Sequence, residues 1–218
     1  MDDSARQASA FDASDLDSLV NGKRSAIRWN APQNRSTNLA ADVGRRAIFS
    51  GSFNPRHQGH RDMAFIAASV YQLTVEHEIS IQNVDKASLT AEQIAFRLTQ
   101  FQPGEPVWLT NLARFSQKAA HFSNCTFLIG MDTFHRLLDL RYHEGQHSEL
   151  RKAIRLIQEH ACDFLVFSRS SEHECAHVRL DELGSHREIF RFVPPELFHL
   201  DVSSTQLRRS LDWNQRKS

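Results

Sequence analysis

Two short stretches of this chain carry side chains whose types and spacing suit them to phosphate chemistry. The first is Ser50-Gly51-Ser52-Phe53-Asn54-Pro55-Arg56-His57-Gln58-Gly59-His60. Gly51 has no Cβ to hold a phosphate away from the backbone, and Gly59 can serve the same end one turn later. His57 and His60 are three residues apart, so on a first helical turn both imidazoles face the same side. Two ring N–H donors there would stabilise charge developing on phosphorus, and the free N–H groups of a helix start favour an anion. The second stretch, Val202-Ser203-Ser204-Thr205-Gln206-Leu207-Arg208, reads as a helix N-terminus with hydroxyl caps. Arg208 lies three residues past Thr205 on the same helical face, so hydroxyls, backbone N–H groups and a guanidinium could together cradle a polyphosphate.

Such groups need a rigid frame. From Arg46 onward the pattern alternates strands with helices. Strands are expected at Ala47–Ser50, Glu76–Gln82, Val107–Thr110, Cys125–Ile129, Asp163–Phe167 and Phe190–Val193. Between them, helices are expected over Asp62–Tyr71, from a Thr90 cap to about Phe101, and over Ala113–Phe122, Asp132–Leu140 and Glu149–His160. Buried apolar strands interleaved with helices imply α/β architecture: a doubly wound parallel sheet in three α/β/α layers, one domain over 45–218. The glycine-bearing turn then falls at the carboxyl end of the first of these strands, where doubly wound sheets bind ligands. Residues 1–44 lack sustained apolar periodicity and read as a largely disordered tail, which Ile27 and Trp29 could pin to the domain.

The 218 residues carry 26 basic and 26 acidic side chains, so no net field favours nucleic acid or an anionic membrane. No apolar run approaches the roughly 18 residues that span a bilayer. Three scattered cysteines, Cys125, Cys162 and Cys175, argue against a disulfide framework and for a reducing cytoplasm. His173-Glu174-Cys175-Ala176-His177 matches the H-E-x-x-H zinc pattern, yet its flanks offer no apolar helix stripe to turn the ligands inward. It and the His143/His147 pair read as polar surface, and no metal is expected on protein side chains.

The eleven-residue string resembles the HxGH signature of a nucleotidyltransferase superfamily with a Rossmann-like fold, and 202–208 resembles that superfamily's ISSTxIR motif. Phe127-Leu128-Ile129-Gly130-Met131-Asp132 is similar to the FIIGAD segment of the nicotinate- and nicotinamide-mononucleotide adenylyltransferases. The resemblance implies transfer of AMP from ATP, with Mg²⁺, to a pyridine mononucleotide and release of pyrophosphate, a step of NAD biosynthesis. It implies catalytic roles for His57, His60 and Arg208. ATP would be held by Gly51, Ser52, Phe53, His57, Gly59, His60, Gly130, Asp132, Ser203, Ser204, Thr205 and Arg208. The acceptor falls to Asn54, Lys86, Tyr142 and Arg169, Tyr142 standing where bacterial nicotinate enzymes usually carry Trp. Cytidylyl transfer, pantetheine-phosphate adenylylation, a non-catalytic nucleotide sensor and a homo-oligomeric state remain open at this point.

Overall fold

The computed structural model describes residues 13–30, 45–82, 87–168 and 183–198. Seven strands form one sheet: β1 (Ala26–Asn30), β2 (Arg46–Ser50), β3 (Thr74–Ser80), β4 (Pro106–Thr110), β5 (Cys125–Gly130), β6 (Asp163–Phe167) and β7 (Phe190–Phe192). Their order is β1-β4-β3-β2-β5-β6-β7. All neighbours pair in parallel except β1, which runs antiparallel to β4. From β2 the chain winds outward through β3 and β4, then returns to β5 on the other side and winds outward again. This is the doubly wound, Rossmann-like arrangement expected from the sequence.

The strands are legible because β2 and β5 must be apolar on both faces, and Ala47–Phe49 and Cys125–Ile129 are buried throughout. Alternation then divides the core in two. Ala47, Phe49 and Leu128 pack beneath α2 (Gln58–Ser69) and α3 (Ala91–Leu98), with Met63, Ile66, Ala67, Ile94 and Leu98 facing them. Ile48, Phe127 and Ile129 point the other way. They meet α4 (Phe115–His121), α5 (Met131–Leu137) and α6 (His147–Glu159), whose Leu150, Ile154 and Ile157 form one stripe. Thr90 caps α3 as expected, its hydroxyl accepting from Gln93 N at 3.2 Å while Gln93 Oε1 accepts from Thr90 N.

Residues 13–30 differ from the expected solvated tail. They form a helix, α1 (Ala13–Val20), and the edge strand β1, which continues the sheet. Leu19 is fully buried in the core beneath α2 and α3, and Ile27 joins it. On the opposite face of β1, Arg28 reaches the buried Glu76 carboxylate at 3.0 Å. Asn111 Nδ2 fastens the turn by donating to Leu19 O and Arg24 O. A few apolar side chains and one ion pair suffice because the sheet supplies the partner surface, which local periodicity cannot reveal. Among the described residues no helix is long and apolar enough to cross a membrane.

Candidate functional site

The turn after β2 is built around a folded-back ring. Phe53 adopts φ 43° and is fully buried, its ring lying against Phe49, His60, His77 and Phe101. A Cβ on Gly51 would sit 2.7 Å from Phe53 Cζ. Gly51 is therefore required by the protein's own packing, a reason the sequence reading did not give it. Its N–H donates to Glu78 O at 3.0 Å, tying the turn to β3.

The same turn is clamped from outside. Arg97 Nε donates to Ser52 O at 2.9 Å, and Gln100 Nε2 to Phe53 O at 2.9 Å. Arg56 makes a two-pronged pair with Glu105 at 2.7 Å on each side, with its guanidinium 4.6 Å above Phe101. That side chain is only 5% exposed, so Arg56 is a fastener rather than a ligand-facing cation. Burial of Glu105 works to raise its pKa, but hydrogen bonds from Arg56 and Gln102 N hold it below the usual value. Beneath them, burial and the Arg56 charge depress His77.

His57 caps α2, and its ring stacks on His60 with centroids 3.8 Å apart. The shared face expected from their spacing is present. His57 N donates to His60 Nδ1 at 3.1 Å, so the proton of a neutral His60 ring belongs on Nε2. Burial, then the charges of His57, Arg56, His77 and Arg61, push the His60 pKa down to about 3. At neutral pH His60 is thus an uncharged donor of one N–H. Gly59 is buried at the start of the helix.

On the opposite face of the sheet lies a cavity of about 470 Å³. Ser50, Gly51 and Ser52 form its rim at the end of β2, beside Glu78 and Ser80 of β3. Phe115, Ser116 and Lys118 of α4, Thr133 and Arg136 of α5, Tyr142 and Lys152 close it. This is the point where the winding reverses between β2 and β5, the usual ligand position in such sheets. Gly51, Ser52 and Tyr142 are brought together here. Phe53, Asn54, His57, Gly59, His60, Gly130 and Asp132 do not line it. Asn54 instead borders a second cavity of about 460 Å³ with Thr90, Gln93 and Arg97, sharing only Ser52 and Ser80 with the first. Gly130 caps α5, with open space where a Cβ would project, and Asp132 is exposed two residues on. The Tyr142 ring carries the Arg136 and Arg141 guanidiniums at 5.6 and 5.9 Å.

The floor of the cavity holds a pair that the sequence reading missed. Glu78 is fully buried, and Lys118 Nζ lies 2.6 Å from its Oε2 while Thr110 Oγ1 donates to Oε1 at 2.5 Å. The signal was the alternation of β3, which puts Glu76 and Glu78 on one face. A central strand covered on both sides has no solvent face, so both acids had to be buried and matched. Glu76 is matched by Arg28, Arg46 and Trp108 Nε1. Lys86, Arg169, Ser203, Ser204, Thr205, Arg208 and the His173–His177 pattern lie outside the described residues. His143 Nε2 sits 2.8 Å from Leu137 O, and His147 opens α6. Among the described residues no three His, Cys, Asp or Glu side chains gather to hold a metal.

No family model matches the chain. It is 27% identical over 188 residues to "Probable nicotinate-nucleotide adenylyltransferase" of Chlorobium phaeobacteroides (strain BS1), across 77% of this chain and 87% of that protein. The chain is a distant relative of that protein. The alignment spans most of both chains, so the likeness extends well beyond the short motifs.

Proposed function

We propose that this protein transfers AMP from ATP to a pyridine mononucleotide and releases pyrophosphate. The observation that carries the reading is the neutral His60 donor at the head of α2, in the segment that leads on from the Gly51-bearing rim of an open crevice. The name of the distant relative, a nicotinate-nucleotide adenylyltransferase, supports the reaction class.

The nucleophile is a 5′-phosphate oxygen of the mononucleotide, anionic at neutral pH, so no general base is needed. This oxygen forms a new bond to the α-phosphorus of ATP as the bond to the pyrophosphate oxygen breaks. Negative charge builds on the phosphoryl oxygens and on the departing pyrophosphate. Catalysis then rests on positioning and charge stabilisation. His60 Nε2–H and the N–H groups at the start of α2 would meet the triphosphate, with His57 stacked to hold the His60 ring. Ser203, Ser204, Thr205 and Arg208 would grip the β- and γ-phosphates, with Gly130 and Asp132 shaping the ATP side and the buried Phe53 and Gly59 supporting the turn from within. Lys86, Arg169, Asn54 and Tyr142 would serve the acceptor. Mg²⁺ enters with the triphosphate as part of the substrate.

The test is incubation of the full chain with ATP, Mg²⁺ and nicotinamide or nicotinate mononucleotide. Mass spectrometry should show the corresponding dinucleotide and an equal amount of pyrophosphate. ATP that remains intact with both acceptors contradicts the proposal.

A further inference from the structure

Resting on that reaction, we infer that the Glu78–Lys118 pair on the cavity floor selects an acceptor ring bearing a neutral carboxamide over one bearing a carboxylate. Both side chains line the cavity and both are almost wholly buried, Glu78 at 0% and Lys118 at 6% exposure. Lys118 spends one donor on Glu78 Oε2 at 2.6 Å, and its ammonium lies 5.1 Å from the Phe115 ring. Thr110 holds the other carboxylate oxygen at 2.5 Å. Next to Glu78 in the strand register, Ser50 Oγ is buried without a hydrogen-bond partner among the described residues. The floor therefore offers N–H donors from Lys118, acceptor capacity on Glu78 and a spare hydroxyl, with no net charge.

A carboxamide matches that set. Its oxygen can accept from Lys118 and its NH₂ can donate to Glu78 or Ser50, so no buried polar group is left unmatched. A carboxylate offers acceptors only, and it brings a second negative charge beside Glu78, which has already neutralised Lys118. Like charges brought together at a buried floor disfavour one another. An unpaired lysine would reverse this preference. The paired lysine makes the floor a reader of neutral, two-way hydrogen-bonding groups.

Titration calorimetry of the full-length protein with nicotinamide mononucleotide and with nicotinate mononucleotide tests the inference, with adenylylation of each followed in parallel. The wild type should bind the carboxamide form about ten- to a hundredfold more tightly, the worth of hydrogen bonds to charged groups. Glu78→Gln keeps an acceptor for Thr110 but leaves Lys118 uncompensated, so the ratio should move toward the carboxylate form by a similar factor. If that variant does not fold, Glu78→Gln with Lys118→Met removes both charges and should bring the ratio close to one. Adenylylation of both acceptors, with a binding ratio that neither variant moves, overturns the inference and leaves the reaction standing. Neither acceptor binding nor reacting overturns both.

Discussion

The two sides of the β2 carboxyl end use buried charge in opposite ways. Beneath α2 and α3, Arg56, Glu105 and His77 are packed against aromatic rings and bonded to one another, and none of the three lines the cavity on the other face. Beneath α4, α5 and α6, Glu78 is buried more completely than Glu105, yet it and Lys118 border a cavity of about 470 Å³. A buried ion pair is costly to assemble and often adds little to stability. Where it pins the backbone of a functional turn, as Arg56 does, its use is to position that turn. Where it borders a void, as Glu78 and Lys118 do, it can meet a ligand, and the inferred acceptor selection is that use. Gly51 and Ser52 stand between the two regions, belonging to the clamped turn by their backbone and to the cavity by their exposure.

This contrast can be broken at several points. The largest loss of stability should follow Arg56→Ala, which strands Glu105 and His77. Chemical denaturation should show about 3–5 kcal/mol of destabilisation, as for other broken buried pairs. A loss under 1 kcal/mol would mean that the clamp holds nothing. Acid should act on the same side. His60 takes up its proton near pH 6.5 in the unfolded chain but only near pH 3 when folded. Between those values the unfolded state holds more protons, so stability falls as pH falls. From pH 7 to pH 5 the His60 contribution is about 2 kcal/mol, and His77, depressed by burial and Arg56, adds in the same direction. His60→Gln should flatten that part of the pH profile; an unchanged slope would place the acid sensitivity elsewhere.

The two glycines sharpen the comparison at smaller cost. Gly51→Ala forces a Cβ against the immobile Phe53 ring and should cost about 1–3 kcal/mol. Gly130→Ala projects into open space and should change stability by less than about 0.5 kcal/mol. Thermal unfolding of both variants side by side measures the difference, and equal shifts would contradict the packing described for the turn.

Much of the frame was legible because it depends on local chemistry. Continuous apolar runs located β2, β5 and β6, the Thr90–Gln93 box located α3, and the three-residue spacing put His57 and His60 together. What stayed hidden depends on distant partners. Glu78 reads as an outward-facing polar residue until the sheet is covered on both sides. Lys118, on a short helix, gives no sign that it turns inward to meet Glu78. Residues 13–30 look too polar and too sparsely apolar to fold, and they do so only because β4 offers an edge and Glu76 a partner for Arg28. The separation of the His pair from the cavity was also not readable, since it follows from which face each later helix covers.

The claim on which the rest depends is that His60 acts as a neutral donor during AMP transfer. Steady-state kinetics with ATP and a mononucleotide, run beside equilibrium ATP titration, tests it in wild type and in His60→Ala. The expected result is a fall in kcat of about 10² to 10³, as for removal of one donor to developing charge, with ATP affinity nearly unchanged. A His60→Ala protein that folds and turns over at the wild-type rate would contradict the account.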